Sequence, residues 1–165
     1  MRRGCSGGRV CVRRAVSAQA GPLHLNLASR PQRYARTVSS ERQIVHAPGA
    51  PPAIGPYSHA VRAGELLFCS GQIPLDPNTG EIVGATAAEQ ARRCLENLRA
   101  VCDAAGASLA RAVRLTVYMT DLSAFNEVNE VYASFFAEQP PARVAVGVAQ
   151  LPRGAYVEID AVVAL

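Results

Sequence analysis

Residues 86–135 read TAAEQARRCLENLRAVCDAAGASLARAVRLTVYMTDLSAFNEVNEVYASF. Thr86-Ala87-Ala88-Glu89 has the spacing of a capping box, in which a threonine hydroxyl and a glutamate carboxylate satisfy N–H groups that a first helical turn leaves orphaned. Ala91, Leu95, Leu98, Cys102 and Ala105 follow at helical spacing, and Gly106 is placed to end the helix. Val113, Leu115, Val117 and Met119 then alternate with Arg114, Thr116, Tyr118 and Thr120, which is period two and predicts a strand. A second amphipathic helix starts near Asp121, puts Leu122, Phe125, Val128, Tyr132 and Phe135 on one stripe, and stops before Pro140-Pro141.

Working outward, Val144, Val146 and Val148 alternate with Arg143, Ala145 and Gly147. Val157, Ile159, Ala161 and Val163 alternate with Tyr156, Glu158, Asp160 and Val162, so two further strands close the chain. Upstream, Gln43–His46 is a short candidate strand, and Ala47-Pro48-Gly49-Ala50-Pro51-Pro52 is too proline-rich to be anything but loop. The segments around His59–Arg62 and Leu66–Ser70, split by Ala63-Gly64, predict a hairpin, and Asp76-Pro77-Asn78-Thr79-Gly80 predicts a turn. The predicted order is β-β-β-α-β-α-β-β, an α+β fold with a mostly antiparallel sheet and two helices on one face. The other face is expected to carry Arg143, Glu158, Asp160, Arg114 and Tyr118 together with Ala145, Gly147 and Val162. A freely solvated face has no need of the small and apolar members of that set, so another copy of the chain should cover it and polar clefts should lie between subunits.

The formal charge of +4 averages two unlike regions. Positions 1–46 carry nine arginines against Glu41, whereas the remainder carries eight arginines against twelve acids, a net charge of −4. A basic arm on an acidic domain argues against a nucleic-acid-binding body. All 17 basic residues are arginine, which excludes a lysine Schiff base, a pyridoxal-phosphate enzyme and a P-loop. No run of about 18 apolar residues offers a membrane span. The cysteines form no CxxC pair, so buried reduced thiols are expected and no metal site or cofactor.

Residues 1–42 are Arg-rich, contain scattered Ser and Ala, lack acids until Glu41 and show no apolar periodicity. That is the composition of a mitochondrial or chloroplast transit peptide, with Val16-Ser17-Ala18 a candidate cleavage point. The folded domain is then 43–165, in an organelle, or in the cytosol if the arm is not a transit peptide.

The pattern brings forward Arg143, whose guanidinium fork suits a carboxylate, and Glu158, which can orient or deprotonate water. A structural Arg–Glu salt bridge explains the same two residues about as well. A histidine is the natural candidate for a general base, but no carboxylate or nucleophile spacing accompanies His59. Asp160 is expected to pair with Arg114.

Ala50-Pro51-Pro52-Ala53-Ile54-Gly55-Pro56-Tyr57-Ser58, Ser70-Gly71-Gln72-Ile73-Pro74, Asn129-Glu130-Val131-Tyr132, Pro141-Ala142-Arg143 and Leu151-Pro152 with Val157-Glu158-Ile159 resemble, in one register, the Rid family, also called the YjgF or L-PSP group. The resemblance runs from about Gln43 to Leu165. It implies a chorismate-mutase-like fold assembled as a homotrimer with clefts between subunits. It also implies hydrolysis of reactive 2-enamino or 2-imino acids, such as 2-aminoacrylate or 2-aminocrotonate, to 2-keto acids and ammonia. By the same resemblance Arg143, helped by the Gly71 N–H, holds the substrate carboxylate, Glu158 positions water, and Tyr57, Ser70 and Asn129 line the pocket. The chain departs from the pattern at Val144, Ala145 and Gly147, where many members have polar side chains. Two other functions compete: an endoribonuclease or translation inhibitor, which sits poorly with the charge of the domain, and a trimer that binds small acids without turnover.

Overall fold

A computed structural model describes residues 41–165; the basic arm before them lies outside the described residues, and so does the candidate cleavage point. The elements are β1 (Gln43–Val45), β2 (Ala60–Ala63), β3 (Leu66–Gln72), α1 (Ala87–Ala104), β4 (Ala112–Met119), α2 (Phe125–Phe135), β5 (Ala142–Gly147) and β6 (Val157–Ala164), with single 3-10 turns at Leu109–Arg111, Leu122–Ala124 and Pro152–Gly154. This is the α+β order expected from the sequence. One six-stranded sheet runs β1-β2-β3-β6-β4-β5. Every pairing is antiparallel except β4 with β5, which is parallel, because α2 carries the chain back across the sheet between them.

Both ends of α1 form as their residues dictate. Glu89 N–H donates to Thr86 Oγ at 3.2 Å while Glu89 Oε2 accepts from Thr86 N–H at 3.3 Å, the reciprocal cap. At the other end Gly106 adopts φ +70°, Ala107 N–H donates to Cys102 C=O at 2.9 Å and Gly106 N–H to Asp103 C=O at 3.0 Å, a Schellman stop. The second helix begins later than its stripe suggests, since Leu122–Ala124 forms a 3-10 turn led by Asp121, whose carboxylate accepts from Ser123 N–H at 2.8 Å.

One face of the sheet is sealed by the two helices. Leu115, Val117 and Met119 of β4 and Val157, Ile159, Ala161 and Val163 of β6 pack with Leu95, Leu98, Val101 and Cys102 of α1 and with Val128, Val131 and Tyr132 of α2. Two polar side chains on the buried face of α1 fasten the loops to this core. Asn97 Nδ2 donates to Ile73 C=O at 3.2 Å and Leu75 C=O at 3.0 Å. Gln90 Nε2 donates to Gly84 C=O at 3.1 Å while its Oε1 accepts from Tyr156 N–H at 2.7 Å. Cys69, Cys94 and Cys102 are buried free thiols. No helix among the described residues is long and apolar enough to cross a membrane.

The uncovered face differs from the expectation at the edge strand. Arg143 is in register with Leu115, Ala145 with Val117 and Gly147 with Met119, and paired residues of neighbouring strands project to the same side. Arg143, Ala145 and Gly147 therefore lie on the helix side, while Val144 and Val146 join Thr116, Tyr118, Glu158, Asp160, Val162 and Phe68 on the open side. Phe68 and Val144 are 46% and 40% exposed there. Asp160 does not pair with Arg114; it accepts a hydrogen bond from the Tyr118 hydroxyl at 2.9 Å.

Candidate functional site

The residues expected to form one site fall into two clefts of the chain. The first, of about 320 Å³, is lined by Ile54, Tyr57, Ile73 and Pro152 together with Ser70, Gly71 and Glu158. Its geometry starts from an irregularity in the sheet. Cys69 pairs with Ala161 and Gln72 with Ile159, so Ser70 and Gly71 together oppose Asp160. This β-bulge breaks the regular ladder at Gly71 and re-aims the strand. The Glu158 carboxylate folds over Gly71 so closely that a Cβ there would overlap Oε1 and stand 3.0 Å from Cδ; only a glycine leaves the carboxylate in this position.

Glu158 is half-buried, and its carboxyl titrates above the usual range, first because burial penalises the charged form and second because Asp160 adds negative charge. Asp160 in turn holds the Tyr118 hydroxyl, whose own titration is pushed up chiefly by that hydrogen bond. Ser70 uses its hydroxyl structurally: Oγ donates to Ser58 C=O at 2.7 Å. The Tyr57 oxygen accepts from Ile54 N–H at 3.2 Å.

The second cleft, of about 350 Å³, holds Arg143 and Asn129 against Tyr132, Phe136, Pro140 and Pro141. Arg143 stands just after the two prolines that fix the start of β5, and Nη1 donates to Asn129 Oδ1 at 2.6 Å. Its guanidinium lies 4.6 Å from the Tyr132 ring centroid and 5.4 Å from that of Phe125, a cation–π shelf supplied by α2. No carboxylate among the described residues bridges it, so its charge is positioned but not neutralised. A planar fork held in that state suits a carboxylate ligand.

Within one chain the two clefts do not meet. Glu158 is in register with Tyr118 and Arg143 with Leu115 on opposite sides of β4. That separates them by two strand spacings and three residues, about 10 Å in each direction, and places them on opposite faces. The structural Arg–Glu salt bridge that the pattern allows is therefore absent. The structure brings Tyr57, Ser70, Gly71 and Glu158 together, and Asn129 with Arg143. Phe125 and Tyr132 were not foreseen as the shelf under Arg143, though their i, i+7 spacing on the stripe of α2 carried the signal.

The match with known proteins covers the same ground. The family model described as Endoribonuclease L-PSP fits residues 47–165, the described domain without the basic arm. The chain belongs to the Rid family. It is 53% identical to a RutC family protein of Sinorhizobium fredii over 70% of this chain and 92% of that one. It is 42% identical to the human 2-iminobutanoate/2-iminopropanoate deaminase over 73% of this chain and 88% of that one. The crystal structure of RidA from the Antarctic bacterium Psychrobacter sp. superposes with a TM-score of 0.72 at 42% identity, covering 74% of this chain and 99% of the other. In this Rid chain one departure from the family pattern has a packing counterpart: a Cβ at Gly147 would stand 3.2 Å from Leu122 Cδ1, so a larger side chain there would press on that leucine.

Proposed function

We propose that the chain hydrolyses 2-enamino and 2-imino acids to 2-keto acids and ammonia in clefts formed between the subunits of a homotrimer. The observation that carries this reading is the division of the site into complementary halves. An unneutralised guanidinium is held ready on one edge of the domain, and a carboxylate with a raised pKa lies over a glycine bulge on the other face. Each half lacks what the other has. The exposed apolar residues on the open face, Phe68 and Val144 with Val146 and Val162 beside them, support burial against a second copy.

In the joined cleft Arg143 takes the substrate carboxylate through its fork, the Gly71 N–H contributes a donor, and Asn129 keeps the guanidinium in place. Glu158, as carboxylate, takes a proton from water as the oxygen attacks the C=N carbon. The Glu158 carboxyl passes that proton to the nitrogen, then takes the hydroxyl proton of the carbinolamine and passes it on as well, so that the C–N bond breaks to release ammonia while the C=O of the 2-keto acid forms. Imine hydrolysis is intrinsically easy, so holding substrate and water in contact accounts for the rate. The similarity to the human deaminase supports the same reaction, and the net charge of −4 beyond residue 46 disfavours RNA as substrate. The arginine-rich arm supports delivery to a mitochondrion or chloroplast.

Subunit complementation tests the reading. Arg143→Ala and Glu158→Gln proteins, each inactive on 2-aminoacrylate released by a serine dehydratase, are unfolded together and refolded. Random mixing should recover about a quarter of wild-type activity, because every mixed trimer rebuilds one of its three clefts. No recovery, with mixed trimers shown by mass spectrometry, refutes the shared cleft. Substantial activity in either variant alone refutes the assigned chemistry.

A further inference from the structure

The loop that brings Ile54 and Tyr57 to the Glu158 cleft is exposed along 52–57, yet both its ends are fastened from inside the protein. At its start lies the ring of His59, only 8% exposed. Nδ1 accepts from Ala47 N–H at 2.9 Å, and Nε2 stands 2.9 Å from Pro51 C=O. A backbone N–H offers only a proton and a carbonyl only lone pairs, so the neutral tautomer with hydrogen on Nε2 is the one state that satisfies both. At the loop's end Ser70 grips the same stretch, its Oγ donating to Ser58 C=O at 2.7 Å and its N–H to His59 C=O at 3.0 Å. Between these pins the loop closes on itself through Ile54 N–H and the Tyr57 oxygen.

We propose that His59 is a positioning residue: by clamping Ala47 to Pro51 it fixes the loop that sets Ile54 and Tyr57 beside Glu158, and so determines how tightly the substrate's side chain is held. The inference rests on the deaminase reading for the identity of the substrate. His59 does not line the cleft, and both of its ring nitrogens are engaged, so it has no free group for proton transfer. Its influence passes through the loop. Ala47 and Pro51 are themselves buried, so removing the imidazole strands a donor and an acceptor together, and the segment must shift to find water. A glutamine can supply one amide oxygen and one amide N–H and is the conservative replacement; an alanine supplies neither.

The full chain and its His59→Gln and His59→Ala variants are compared on 2-aminoacrylate and on the longer 2-aminocrotonate. In the alanine protein KM should rise roughly tenfold with kcat held within about twofold, more for the longer substrate, and glutamine should restore most of the affinity. A fall in kcat with KM unchanged, or a glutamine variant as weak as the alanine one, overturns the proposal. Two measurements on the wild-type protein decide the clamp without turnover. Imidazole nitrogen NMR should show His59 with hydrogen on Nε2 alone, and the Ala47 amide should resist hydrogen exchange. The opposite tautomer, or exchange of Ala47 at the rate of an exposed loop, refutes it even if the alanine protein does not fold. A wild-type chain with the expected spectrum and no deamination would instead sink the deaminase reading and leave the clamp standing.

Discussion

Gly71→Ala separates the chemistry of the cleft from the stability of the fold. The added Cβ would overlap Glu158 Oε1 and crowd Cδ and Cγ, at 3.0 and 3.2 Å. All three obstructing atoms belong to a side chain and none to the backbone, and Gly71 is not among the glycines with positive φ, so alanine fits the bulge once Glu158 swings away. Restoring ordinary contact requires the carboxylate to move by about 1 Å or more, and misplacement of that size costs roughly a hundredfold in rate. The stability change should stay within about 1 kcal/mol, since alanine also restricts the unfolded chain. Ammonia release from dehydratase-generated 2-aminoacrylate, read beside a thermal melt, should therefore show a protein that melts like the wild type and turns over at about a hundredth of its rate. Activity within about threefold of wild type would show that the position of Glu158 over Gly71 is irrelevant to the reaction, and the assignment of Glu158 as the proton-transfer group would fail with it.

Other perturbations address the remaining parts. Arg143→Ala should lower kcat/KM by at least roughly a hundredfold and Arg143→Lys by an intermediate amount, because lysine keeps the charge but neither the fork nor the stacking on Tyr132; a lysine variant equal to wild type would show that the fork is not used. Glu158 titrates above the usual carboxyl range first because of its burial and second because of Asp160, and with the carboxylate as the proposed active form, activity should fall as pH drops through that pKa. Asp160→Asn should thus carry the acid limb of the pH–rate profile to lower pH, and a limb that stays put or moves upward contradicts the assignment. Thr86→Ala removes the hydroxyl half of the cap on α1 and should cost about 1 kcal/mol in chemical denaturation with kcat unaltered; a protein of unchanged stability would mean the cap is dispensable.

Most of the fold was legible because local chemistry and tertiary packing agree. Thr86, Glu89 and Gly106 mark the ends of α1 by the backbone groups they satisfy, and the period-two runs of β4 and β6 mark core against open face. Asn97 and Gln90 were not legible as loop anchors, because their partners are the backbone of Ile73, Leu75, Gly84 and Tyr156, and backbone carbonyls leave no trace in side-chain pattern. His59 was hidden for the same reason: its two partners are main-chain groups of a proline-rich loop.

The face of Arg143 was misjudged for a different reason, and that reason bears on how the cleft is built. In β5 both sets of alternating residues are small or apolar, Ala145 and Gly147 on one side and Val144 and Val146 on the other, so hydrophobicity cannot say which side faces the helices. The proposed trimer gives apolar residues on both sides of this edge strand a use. An edge strand that meets its own helix on one side and another subunit on the other needs both. The ambiguity in the sequence is what two burial environments would produce under that proposal, and it leaves Arg143 beside α2, on the helix side of the strand whose open side carries Val144 and Val146. Held there by Asn129 and Tyr132, with no acid among the described residues to neutralise it, Arg143 is free under the proposed reading to take its counter-charge from a substrate carboxylate bound between two copies.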